Sequence, residues 1–74
     1  MKDKIREIIN YIREEKGLLV LDCIQPSDNL RNELEFTSFD LAELTVRIED
    51  EFDVDIFEDG LVNTVGEIYE KLNL

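Results

Sequence analysis

Apolar positions near the start of the chain recur with a helical period. Ile5, Ile8, Ile9 and Ile12 fall at i, i+3, i+4 and i+7, with Lys, Arg and Glu between them, the spacing of one buried helix face. Gly17 follows Lys16, and a glycine just past a periodic stretch stops a helix. The pattern predicts a first helix over residues 2–16. Leu18-Leu19-Val20-Leu21 is a short apolar run of β-type character. In so short a chain with no partner strand, it is expected as a loop or helix extension packed inward. Pro26-Ser27-Asp28-Asn29 signals a turn, and Leu30 and Leu34 then sit four apart, the spacing of one inward-facing turn.

The clearest element is a second helix over Ser38 to about Phe52. Thr37 is a good N-cap, and Asp40, three residues on, forms a short capping box and places negative charge at the positive end of the helix dipole. At 100° per residue, Leu41, Leu44, Ile48 and Phe52 share one side, the core stripe. Phe39, Ala42 and Val46 share the opposite side, flanked by Glu43, Glu49, Asp50 and Asp53, with Ser38 at the head. A solvent-side apolar stripe rimmed by one charge sign marks a partner contact. The alternative is that Phe39 folds under the preceding loop and Ala42 and Val46 are scattered surface residues. Further on, Ile56 is expected as a core plug, with a short helix near 58–63 that Gly60 breaks. Thr64 and Glu67 form a fuller capping box before a last helix with Val65, Ile68 and Leu72 inward. The expected fold is all-α: a small four-helix bundle of three main helices plus one short helix.

With 74 residues, 43% of them hydrophobic, the chain reads as one small domain over residues 1–74. A domain of this size buries only about 60% of the surface its unfolded chain exposes, so a deep substrate pocket is not expected beside the core. The net charge of −11 is unevenly spread. Residues 1–16 hold five bases against four acids, whereas residues 38–59 hold nine acids and a single base, Arg47. Such a field repels nucleic acid and anionic membranes and attracts basic protein surfaces.

The chain has no His, and Cys23 is its one thiol. This excludes an internal disulfide, a Cys/His zinc site and any imidazole-based triad, and it fits a reducing compartment. Cys23 is expected as a small buried apolar residue, and Tyr11 and Tyr69 as half-buried at helix edges. The run from Asp53 to Gly60 resembles a calcium loop only briefly, because Phe57 takes a ligand position and the turn glycine is displaced. No apolar run reaches membrane-span length and no signal-peptide core opens the chain, so the expected location is cytoplasmic. No residue is assigned to catalysis or to a metal. Ser38 has no base placed by sequence to activate it, and it reads better as a point modified by another enzyme.

Leu34-Glu35-Phe36-Thr37-Ser38-Phe39-Asp40 resembles the Leu-Gly-x-Asp-Ser-Leu-Asp attachment motif of acyl carrier proteins. The resemblance continues through Glu43-Leu44, Ile48-Glu49-Asp50-Glu51-Phe52 and Asp55-Ile56, and resumes at Thr64-Val65-Gly66-Glu67-Ile68. It implies a four-helix bundle bearing a covalent 4′-phosphopantetheine on Ser38, supplied from coenzyme A by a phosphopantetheinyl transferase. Acyl or aminoacyl cargo would ride on the arm as a thioester, presented to loading and transfer enzymes with basic docking patches. By position, Phe39, Ala42, Glu43, Val46, Glu49 and Asp50 would form the contact surface, with Thr37 and Asp40 beside the serine. The resemblance implies neither a nucleic-acid nor a membrane partner, and a monomer is expected. The sequence departs from the motif at Glu35 for Gly, Thr37 for Asp and Phe39 for Leu. A different class of function is an unmodified acidic adaptor that binds a basic partner through the second helix.

Overall fold

The computed structural model describes residues 1–74. Three helices, α1 (Lys2–Glu15), α2 (Ser38–Phe52) and α3 (Val65–Leu72), are joined by irregular segments, and no strand forms. Each helix ends as its local sequence requires. After α1, the Leu18 N–H reaches the Arg13 carbonyl at 2.9 Å and the Gly17 N–H reaches that of Glu14 at 3.0 Å. This paired closure needs a left-handed residue between, and Gly17 supplies it at φ +81°. Both expected capping boxes form. Thr37 Oγ1 accepts from the Asp40 N–H at 3.2 Å while Asp40 Oδ2 accepts from the Thr37 N–H at 2.9 Å, and Thr64 and Glu67 repeat the exchange at α3.

The core joins the isoleucine face of α1 to Leu44 and Ile48 of α2 and Val65 and Ile68 of α3, with Leu30, Leu34 and Ile56 plugging it from the connections. Leu41, Phe52 and Leu72 pack at its edge. Phe36 and Val62 are also buried, although neither belongs to a periodic stripe. Tyr69 is buried rather than half-exposed, and Cys23, expected inside, is exposed.

The connection from α1 to α2 is a loop held by polar side chains of α1. Asn10 exchanges two hydrogen bonds of 2.9 Å with the backbone N–H and carbonyl of Leu21. The buried Arg13 donates to the carbonyls of Leu19 and Leu34 at 3.1 and 2.9 Å. A loop crossing a small core leaves backbone groups in need of partners, and these two residues provide them. The run Leu18–Leu21 therefore does not pack inward as a whole. Leu21 touches the core, while Leu19 and Val20 face solvent. Farther along, the loop is stitched to the start of α3. Leu30 N–H donates to Asn63, Val65 N–H to Asp28 and Gly66 N–H to Pro26, at 2.8 to 3.0 Å. At Gly66 a β-carbon would lie 3.0 Å from the Pro26 carbonyl oxygen, so a side chain here would press the Pro26 backbone outward and glycine fits the close approach.

The short helix expected near 58–63 is replaced by turns. Residues 56–59 are turn residues, closed by Glu58 N–H to Asp55 and Gly60 N–H to Phe57. Ile56 and Val62 are both buried. The turns between them let both reach the core.

Candidate attachment site

Ser38 is the first residue of α2 and is exposed. Its position is set from both sides. Upstream, Leu34 and Phe36 are buried, and Glu35 between them turns the chain at φ +62°. Glycine occupies this position in the motif the segment resembles, and here a residue with a β-carbon adopts the same left-handed turn. Downstream, Asp40 anchors the first turn of α2.

Asp40 was grouped on sequence with Thr37 among the partner-facing residues beside Ser38. The Asp40 side chain turns inward and is buried. Its Oδ2 accepts from the Lys16 ammonium at 2.6 Å and from the N–H and hydroxyl of Thr37 at 2.9 and 3.0 Å. Burial pushes its carboxyl up, but the Lys16 ammonium and the Thr37 donors outweigh it, and the carboxyl is held below its ordinary value. Lys16 also donates to the Glu35 carbonyl and lies 5.8 Å from the centre of the Phe36 ring. One lysine from the end of α1 thus fastens the loop before Ser38 and the start of α2. The requirement for an internal cap wins over the surface role because Asp40 sits at the third position of the helix, where a carboxylate reaches back to the cap.

The other expected contact residues fall on the outer side of α2. Phe39 is 80% exposed and Val46 60% exposed, so Phe39 does not fold under the preceding loop. Ala42, Thr37, Glu49 and Asp50 are also exposed. Glu43 is only half-exposed and its charge is engaged. Its carboxylate accepts from Arg47 at 2.9 Å, and Arg47 in turn lies 4.0 Å over the Tyr11 ring. Glu15 adjoins the same group, and its carboxyl is raised above its ordinary value, first by hydrogen bonding with Glu43. Glu49 and Asp50 form no ion pair and are the acids left free to meet a basic surface.

Ser38 Oγ has no base beside it. It accepts a hydrogen bond of 2.8 Å from the Arg31 guanidinium, a donor that cannot take its proton. The chain therefore does not make Ser38 a nucleophile by itself. Arg31 was not foreseen, since it lies seven residues upstream in a non-helical segment and no periodicity links it to Ser38. An open groove of about 280 Å³ begins at these two residues and runs between α2 and the 54–63 segment, lined by Leu41, Ala42, Thr45, Phe57 and Leu61. Leu61 lies in the stretch expected as a helix and Phe57 just before it, and the turns found there bring both beside Ser38. No helix is long and apolar enough to cross a membrane.

No solved structure matches the chain significantly. Among known protein families, the one described as "Phosphopantetheine attachment site" matches residues 6–72, a span that takes in most of α1, the loop, Ser38 and the Lys16 and Asp40 pair beside it. The chain belongs to the phosphopantetheine attachment family, carriers rather than enzymes, whose cofactor is a covalently attached 4′-phosphopantetheine and which work with a transferase and with biosynthetic enzymes.

Proposed function

We propose that Ser38 carries the arm and that the chain presents an acyl or aminoacyl group, held as a thioester, to enzymes that dock on the outer face of α2. The observation that carries this reading is the place of the Ser38 hydroxyl. It is exposed at the first position of α2, on a loop locked by Lys16, with no base of its own. Such a hydroxyl suits modification by another enzyme. In that step Oγ bonds to the β-phosphorus of coenzyme A, the phosphoanhydride bond breaks, and 3′,5′-ADP leaves with the electron pair. The hydroxyl proton goes to a base on the transferase.

The residues present fit the group. An anionic ester on Ser38 would leave the protein at the positive end of the α2 dipole, beside a guanidinium, with open solvent above. The cofactor supplies a thiol that forms and gives up thioesters, and the protein supplies its position. The groove beside Ser38 is too open to swallow a cargo, which supports a carrier whose cargo is handed over rather than stored deep inside. Phe39, Ala42 and Val46 offer apolar contact, and Glu49 and Asp50 offer charge that a basic partner would meet. Contacts of this kind are weakened by salt and release readily. The single thiol suits a reducing compartment, which supports action in the cytoplasm.

Incubation with coenzyme A and a broad-specificity phosphopantetheinyl transferase should add one phosphopantetheine to the intact mass, and Ser38→Ala should abolish the gain. An unchanged mass with several transferases, together with a basic partner that binds wild type and Ser38→Ala equally, would favour an unmodified acidic adaptor.

A further inference from the structure

Arg31 stands apart among the eight bases of the chain. Lys4, Lys16, Arg47 and Lys71 form ion pairs. Arg13 is buried against backbone carbonyls, and Lys2 lies over the Tyr69 ring. Arg6 lies on α1 and lines a separate groove with Asp22 and Cys23. Arg31 forms no ion pair, although the chain has 19 acids. Its guanidinium is directed instead at the neutral Ser38 hydroxyl, at 2.8 Å.

The base of this side chain is fixed. Arg31 N–H donates to Asn29 Oδ1 at 2.9 Å, as does Asn32 N–H at 3.0 Å, and the preceding Leu30 is fully buried. The guanidinium thus starts from an ordered turn, and only its own bonds move. A cation aimed at a neutral oxygen gains little there. If that oxygen becomes a phosphodiester, a negative charge appears one bond farther out, where a planar guanidinium can meet two oxygens at once. The same charge appears beside a segment rich in carboxylates, which oppose it.

We propose that Arg31 is the counter-ion of the phosphodiester on Ser38. It holds the root of the arm by a paired, charge-assisted contact, offsets the acidic field, and directs the arm over the groove that both residues line. The inference rests on Ser38 being the attachment point. Because Arg31 is exposed, the contact is sensitive to salt.

The test uses the loaded protein, its modification checked by intact mass, and compares wild type with Arg31→Gln and Arg31→Lys by ³¹P NMR at low and high salt. The Arg31 side-chain N–H resonances of wild type are followed before and after loading. In wild type, the Arg31 resonances should shift on loading, and the ³¹P line should move as salt is added. In Arg31→Gln, the ³¹P line should sit at its high-salt position throughout, and Arg31→Lys should fall between. A loaded protein whose ³¹P shift is the same in wild type and Arg31→Gln, with Arg31 resonances unmoved by loading, would overturn the role of Arg31 and leave the attachment intact. A wild-type chain that gains no phosphorus would overturn both.

Discussion

Replacing Glu35 by glycine should make the protein more stable. Glu35 sits at φ +62°, a left-handed conformation that costs a residue with a β-carbon roughly 1–2 kcal/mol. Glycine removes that cost, but it widens the unfolded ensemble by about 0.4–1 kcal/mol. The net gain is about 0.5–1 kcal/mol. At about 4–8 °C per kcal/mol for a domain of this size, Tm should rise by roughly 2–8 °C. Little else is at stake, since the Glu35 side chain is exposed and makes no hydrogen bond or ion pair. Its backbone carbonyl, which accepts from Lys16, is kept. Glu35→Ala is the control, because it removes the same charge and retains the β-carbon. Thermal unfolding followed by circular dichroism at fixed salt would separate the two effects. The reasoning is refuted if Glu35→Gly melts at or below wild type, or if Glu35→Ala gains as much, since charge and not backbone conformation would then be responsible.

Three other outcomes are expected. Asp40 has a folded value below its ordinary 3.8, so its contribution to stability is full above that value and is lost as pH falls through it toward the folded value. Lys16→Ala should cost about 1–2 kcal/mol at neutral pH, between exposed and buried pairs, and it should flatten the loss of Tm below about pH 4. A variant whose acid limb matches wild type would contradict that assignment. Asn10→Ala should cost about 1–3 kcal/mol in urea unfolding, because it strands the Leu21 N–H and carbonyl. Val46→Ala and Phe39→Ala, both on exposed side chains, should stay within about 0.5 kcal/mol of wild type. The same variants should raise the KM of the transferase for the carrier, and an unchanged KM for both would remove the outer face of α2 from docking.

The helices were legible because each combined an apolar stripe with a local signal at one end. The isoleucine stripe and Gly17 delimit α1, and the boxes at Thr37–Asp40 and Thr64–Glu67 mark the starts of α2 and α3. These are local signals, and they appear in the sequence at fixed spacing. The connections were less legible because their order comes from distant partners. Nothing in the spacing of Asn10 and Leu21, or of Arg13 and Leu34, announces a hydrogen bond, so the expected loop at Leu18–Leu21 forms but only part of it packs inward. The segment after α2 was misread for a related reason. A short helix near 58–63 was expected there, and the backbone instead closes in turns over residues 56–59.

At the site the same division holds. Ser38 and the outer stripe of α2 could be placed from helix geometry, and the exposure of Phe39 and Val46 agrees with it. The capping role of Asp40 could be placed as well, but its ion pair with Lys16 could not, because that partner lies 24 residues away in sequence. Arg31 left no periodic trace, since its contact with Ser38 is made from a turn. Asp28, Glu33 and Glu35 stand close to it in sequence, so the spacing of charges gave no sign that its guanidinium would turn to Ser38 instead.

The most direct measurement is to locate the added mass on the loaded chain. Cleavage after Arg31 and Arg47 yields a peptide over residues 32–47 that contains three hydroxyls, those of Thr37, Ser38 and Thr45. Fragment ions should assign a single phosphopantetheine to Ser38, between Thr37 and Phe39. Its assignment to either threonine, or to a peptide elsewhere in the chain, would contradict the account.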